Sequence, residues 1–221
     1  MYDSDCHQSS TDDSRCQHVD TYNRDMSRWE PNARSRLQQA ALEIYGERGF
    51  EQTTVAEIAE RARLTERTFF RHFTDKREVL FWGSDVLQET LVSAAVSVPD
   101  AGSPIDTIAV AFETAAMRLF PQERHAFARQ RQAVIAANAG LQERELLKLA
   151  TLTAALADTL RRRGVAEPAA RLAAEAGIVI FKVAYERWVD ADDQRELSRL
   201  IRESFDELRS VVSGTRVPAM A

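Results

Sequence analysis

Residues Thr53–Leu80 read TTVAEIAERARLTERTFFRHFTDKREVL, and the fold turns on this stretch. Thr54 suits a helix N-cap, because its hydroxyl can accept from an unpaired N–H of the first turn. Glu57, three residues on, completes a Thr-x-x-Glu capping box. Val55, Ile58, Ala59 and Ala62 then follow at helical spacing until Arg63 and Leu64 break the run. Thr65 caps a second helix, with Phe69, Phe70 and Phe73 on its apolar side. Asp75 caps a third, with Glu78 completing a second box. A short helix, a tight turn, a short helix and a long helix make a helix-turn-helix, whose second helix enters the DNA major groove.

Outward from this stretch the pattern stays helical. Upstream, Pro31 or Asn32 opens a helix in which Leu37, Ala40, Ala41, Ile44 and Tyr45 form one buried stripe. Downstream, a linking helix runs from Asp75 to about Val98, ~36 Å at 1.5 Å per residue. The segment PDAGSP (Pro99–Pro104) is the clearest break in the chain. Five more helices follow. Pro121 breaks the first and opens the second, and Gly140 ends the second. The third ends in Arg161-Arg162-Arg163, which complements the helix dipole, and stops at Gly164. Pro168 opens the fourth, and Asp192 or Asp193 caps the fifth. The expected fold is all-α with about nine helices. It divides into a disordered arm (1–30), a helix-turn-helix domain (31–80), and a ligand-binding and dimerisation bundle (81–221).

Two runs carry a resemblance beyond this generic pattern. The segments ALEIYGERGFEQTTVAEIAERA and TERTFFRHFTDKREVL resemble the N-terminal domain of TetR-type transcriptional repressors over roughly residues 33 to 82. The resemblance implies a homodimeric, ligand-responsive repressor of a palindromic operator, and it implies positions that touch DNA. His72 and Lys76 match phosphate-contacting positions, and Thr54 would bind phosphate in the same way. At the front of the recognition helix stand Thr65, Glu66, Arg67 and Thr68. Arg67 is the candidate for guanine, because its planar fork matches O6 and N7 together. Glu66 either accepts from cytosine N4 or strengthens the helix N-terminus. Arg71 adds positive charge, and Phe70 stands where the family commonly has Tyr, so it offers only apolar contact. Arg63 stands where the family usually has Gly in the turn, at a cost on the order of 1 kcal/mol if the backbone is left-handed.

Charge agrees with this only locally. Residues 1–30 carry three Arg and seven Asp/Glu, residues 31–80 carry nine Arg/Lys and eight Asp/Glu, and the whole chain is −5. The expected basic face is therefore Arg67, Arg71, Lys76 and Arg77, with Glu43, Glu47, Glu57 and Glu60 turned away. No apolar run approaches the ~20 residues needed to span a bilayer, and the polar, acidic N-terminus lacks a signal-peptide core. The two cysteines, Cys6 and Cys16, form no disulfide framework and fit a reducing cytoplasm. With His7 and His18 their spacing matches no closed zinc pattern, so no metal or other cofactor is expected.

The last two helices read as a dimer interface. Ala173, Ala174, Gly177, Ile178, Phe181, Val183, Ala184 and Trp188 make one apolar over most of its circumference. Leu197, Leu200, Ile201, Phe205, Leu208, Val211 and Val212 give the other a seam. The middle helices would enclose a pocket for a small apolar or amphipathic effector, lined by Phe112, Met117, Phe127, Leu149, Leu152, Phe181 and Tyr185. His125, Arg129, Arg131 and Thr153 are its candidate polar anchors. Two other readings remain open. An enzyme in the bundle would need a Glu-x-x-His pair, a nucleophile motif or a phosphate loop, and none is found. A constitutive DNA-organising protein would have a solid bundle core in place of a pocket.

Overall fold

The computed structural model describes residues 33–99, 102–190 and 195–214. These contain ten α-helices, one 3-10 turn and no strand. The arm, with Cys6, His7, Cys16 and His18, lies outside the described residues, as do Pro31, Asn32, Asp192 and Asp193.

The first three helices are α1 (Ala33–Arg48), α2 (Val55–Arg61) and α3 (Glu66–His72). The Thr54–Glu57 capping box is present: the Thr54 hydroxyl accepts from the Glu57 N–H and the Glu57 carboxylate accepts from the Thr54 N–H. Thr65 caps α3 by accepting from the Thr68 N–H at 3.2 Å. Between them Arg63 takes a left-handed φ of 53°, so it accepts the strain that glycine would avoid. Its N–H donates to the Glu60 carbonyl and the Leu64 N–H to that of Ala59, both at 2.8 Å. That pair closes a Schellman turn. Arg36 of α1 donates to the Ala62 carbonyl at 2.6 Å, which ties the turn to the first helix.

The linking helix is not one rod. It is a single turn, α4 (Glu78–Phe81), followed by α5 (Ser84–Ser97). Trp82 is extended, and Gly83 takes a φ of 98°, which a residue with a Cβ rarely adopts. Periodicity missed this break because the apolar spacing continues across it. Asp75 does cap the turn, accepting from the Arg77 and Glu78 N–H groups at 2.7 and 3.1 Å. The Glu78 carboxylate pairs instead with Arg144 and Lys148 (2.6 and 3.4 Å), so the expected second box stays half-formed.

The bundle contains α6 (Pro104–Leu119), a 3-10 turn (Gln122–Arg124), α7 (His125–Ala136), α8 (Ala139–Arg162), α9 (Glu167–Asp190) and α10 (Leu197–Val212). Asn138, rather than Gly140, separates α7 from α8, because its side chain caps the helix at Leu141 N–H. Gly164 stops α8 with a φ of 85°, as its sequence position suggested. Arg163 is no solvated helix end: it donates to the carbonyls of Ala95, Val96 and Val98 and so finishes α5.

One apolar core fills the bundle, built on Phe112, Leu156, Phe181, Trp188 and Phe205. A second fills the helix-turn-helix and also takes in Val134, Ile135 and Leu141 from the bundle. Leu197, Leu200, Ile201 and Phe205 of α10 are at most 1% exposed, so most of the seam expected at a dimer interface faces the protomer's own core. Ala173, Ala174, Gly177, Ile178, Phe181, Ala184 and Trp188 of α9 are buried there too.

Candidate nucleic-acid interface and cavity

Most charges on the helix-turn-helix are paired locally. Arg61 reaches Glu47 through two nitrogens at 2.9 and 2.8 Å, and Glu43 at 3.4 Å. Arg48 pairs with Glu57 at 2.9 Å and Arg77 with Asp75 at 3.0 Å. Glu43, Glu47 and Glu57 are therefore paired with arginines rather than merely turned away. Three cations differ. Arg63, Arg67 and Arg71 are exposed, and their guanidinium groups have no carboxylate partner among the described residues. They lie on the turn and along α3, so positive charge concentrates on the element that would face DNA.

The other expected contacts divide by geometry. Thr54, Glu66 and Phe70 are exposed, with Phe70 at 56%. Thr65 and Thr68 share a hydroxyl contact of 3.0 Å at the front of α3. Phe69 and Phe73 are core residues, as their spacing suggested. His72 is half-buried, and its Nε2 is buried without a hydrogen-bond partner. Burial first, then the charges of Arg34 and Arg71, hold its pKa below the usual imidazole value. The ring is therefore neutral at pH 7 and adds no positive charge.

Lys76 departs furthest from expectation. Its ammonium donates to the carbonyls of Phe50, Glu51 and Thr53 at 2.9, 3.2 and 2.9 Å. An ammonium has three hydrogens, so all are engaged within the unit. It also sits 4.4 Å from the Phe50 ring centroid. The Tyr45 hydroxyl donates to the Lys76 carbonyl at 2.7 Å, and burial pushes this phenol well above the usual range. The expected basic face therefore shrinks to Arg67 and Arg71, with Arg63 added. Pairing removes Arg77, and internal carbonyls engage Lys76.

Where α4 and α5 meet α6, α7, α8 and α9, the protein forms a partly open cavity of about 730 Å³. Phe127, Leu149, Leu152, Phe181 and Tyr185 line it as expected. Phe112 does not: it is 1% exposed and stacks on Phe181 within the core. Met117 does not either, because it points outward at 62% exposure. Of the polar candidates only Arg131 is on the wall. His125 bonds the Trp188 carbonyl at 2.7 Å, and Thr153 bonds the Leu149 carbonyl of its own helix. Burial raises the pKa of the Tyr185 phenol, against the nearby charge of Arg131. Trp82 and Phe120 also line the cavity and were not foreseen. Gly83, beside Trp82, was the available signal that the linking helix opens there.

Residues 103–213 match the profile of the MftR C-terminal domain, and residues 37–81 match that described as "Bacterial regulatory proteins, tetR family". The chain belongs to the TetR family. A curated TetR-type relative, the HTH-type transcriptional regulator TcmR of Streptomyces glaucescens, is 37% identical over 79 residues. The match spans 36% of this chain and about a third (35%) of that protein. A putative transcriptional regulator of Pseudomonas aeruginosa superposes with a TM-score of 0.57 at 17% identity, covering 86% of this chain and 95% of that one. A putative fatty acid metabolism regulator of Clostridium perfringens gives 0.56 at 17% identity, covering 83% and 100%. SmeT of Stenotrophomonas maltophilia, repressor of the multidrug efflux pump SmeDEF, gives 0.53 at 18% identity, covering 85% and 94%. At these identities the likeness establishes a shared TetR fold.

No helix among the described residues is long and apolar enough to cross a membrane, and no group of three or more His, Cys, Asp or Glu side chains there can hold a metal ion.

Proposed function

We propose that this TetR-family regulator binds a palindromic DNA operator as a homodimer, represses from it, and leaves it when a small apolar or amphipathic molecule occupies the cavity. The observation that carries the DNA reading is the contrast among arginines. Arg48, Arg61 and Arg77 have carboxylate partners, whereas Arg63, Arg67 and Arg71 have none among the described residues. Phosphate is the partner that a row of unpaired, exposed guanidinium groups on a helix-turn-helix fits best. Arg67 at the front of α3 reads a base, and Arg63 and Arg71 bind backbone. Thr54, Thr65, Thr68 and His72 supply uncharged contacts around them, and Phe70 meets an apolar base edge. Lys76 acts from behind, by holding the end of α1 and the start of α2 to the turn before α4.

One recognition helix reads few base pairs, so two must act together at half-sites about 34–36 Å apart or a multiple of that. On α9, Leu172, Val179 and Val183 remain 70%, 59% and 42% exposed. With Ala176 they repeat at four, three and four residues, the spacing of a coiled-coil seam. A second copy would cover this stripe. An effector need only prefer the conformation that misplaces α3, since the shift equals its difference in affinity for the two states. A coupling of about 1–3 kcal/mol weakens DNA binding 5–150-fold, and DNA weakens effector binding by the same factor.

The test is selection of bound sequences from genomic DNA with the purified protein, repeated with Arg67→Ala. The expected result is a palindromic motif. Arg67→Ala should relax one position per half-site, at about 1–3 kcal/mol per lost bidentate contact. Equal loss on every sequence would move Arg67 to the phosphate backbone, and no enrichment at all would reject the regulator reading.

A further inference from the structure

Arg131 of α7 ties the cavity wall to α4 through the main chain, whereas Arg144 and Lys148 reach α4 through the Glu78 side chain. Its Nε donates to the Leu80 carbonyl at 2.8 Å, and Nη1 donates to Glu145 of α8 at 3.1 Å. The guanidinium lies 5.3 Å from the centroid of the Phe81 ring. Leu80 and Phe81 belong to α4, directly before the break at Trp82 and Gly83. This half-buried cation on the cavity wall therefore joins Arg144 and Lys148 in fastening the bundle to the turn that leads into the DNA-binding unit.

The wall is also unevenly charged. Arg118, Arg124, Arg131, Arg144, Lys148 and Lys182 line the cavity against three carboxylates, those of Asp85, Glu145 and Glu186. Arg118, Arg124 and Lys182 have no carboxylate partner among the described residues. Phe120, Phe127, Tyr185 and Leu149 supply apolar wall beside these cations. A molecule that fits both has an apolar tail and an anionic head.

We propose that the effector is an amphipathic acid and that Arg131 is the residue through which its acid group acts. This deepens the reading of the cavity as the effector site and rests on it. A carboxylate can take two parallel guanidinium hydrogen bonds and carries the opposite charge, whereas the Leu80 carbonyl accepts only one. An acid head entering the cavity therefore takes the Arg131 fork from the Leu80 carbonyl and draws the guanidinium off Phe81. α4 then loses its tie to α7 while Glu78 still holds it to α8, and the left-handed Gly83 joint lets it turn about that remaining contact. The tail fills the apolar wall whether or not the head is charged, so a neutral molecule of the same length binds without loosening α4. Arg131 is thus both a ligand for the head and a positioning residue for α4.

The experiment uses the full chain with decanoate and 1-decanol as matched probes. Affinity is measured by calorimetry, and motion by hydrogen–deuterium exchange at residues 78–87. The wild type is expected to prefer decanoate about tenfold, as one charge-assisted contact would give, and only decanoate should speed exchange in that segment. Arg131→Gln should bring the acid down to the affinity of the alcohol. Arg131→Lys keeps the charge without the fork, so the acid preference should persist while decanoate no longer changes exchange. If the Gln variant does not fold, the Lys variant decides, and a decanoate-driven exchange change surviving there overturns the proposal. Equal affinity for the two probes in the wild type, or an acid preference unaltered in Arg131→Gln, overturns it and leaves the cavity as the effector site. If neither probe binds, the effector reading of the cavity falls, and this inference with it.

Discussion

The helix-turn-helix and the bundle are both helical, yet different forces hold them. α2 and α3 have seven residues each, too few to persist alone. Hydrogen bonds at their ends fix them: the Thr54 box, the Thr65 cap, Arg36 on the Ala62 carbonyl, and Lys76 on three carbonyls. α8 and α9 have 24 residues each and meet through the leucines of α8 and the small and aromatic side chains of α9, whose fit is a matter of volume. In the first region, removing a donor breaks the structure. In the second, adding a methyl group does.

The sharpest break of this contrast is Gly177→Ala. A Cβ at Gly177 would lie 2.3 Å from Ile108 Cγ2 and 2.9 Å from Phe112 Cε2, both side chains fully buried. α6 and α9 would have to part, and overpacking of this kind costs about 1–3 kcal/mol. Urea denaturation of the full chain should show the loss, and an unchanged midpoint would mean that α6 and α9 are packed loosely enough to admit a methyl group.

Lys76→Met tests the other region. It keeps the hydrocarbon stem and removes the ammonium from the Phe50, Glu51 and Thr53 carbonyls. Bonds to a charged group are worth about 1.5–3 kcal/mol, and partial exposure of the site puts the expected loss near the lower end. If stability holds and DNA affinity falls instead, the ammonium belongs on a phosphate, as the family resemblance implied.

The smallest effect has the opposite sign. Arg63→Gly removes the left-handed strain at φ 53° and should raise stability by about 0.5–1 kcal/mol once the greater freedom of the unfolded glycine is counted. It also removes one of the unpaired cations, so DNA binding should weaken while the melting temperature rises. A fall in both would show that the Arg63 side chain contributes to the fold itself.

The sequence by itself determined the elements whose signals are local. The caps at Thr54 and Thr65, the core roles of Phe69 and Phe73, the stop at Gly164 and the all-α class all follow from groups within a few residues of one another. Tertiary structure decided whatever depends on partners far along the chain. Lys76 sits 23 to 26 residues from the carbonyls it binds, Arg163 sits 65 to 68 from those it caps, and Arg131 lies 51 from Leu80. A lone cation in a sequence carries no mark of whether its partner is a carbonyl across the fold, a carboxylate or a phosphate. The same limit explains Phe112 and Met117, apolar residues on one helix, of which one enters the core and the other faces outward. Helical spacing fixes which residues share a face, but only the packing of the neighbouring helices decides what that face meets.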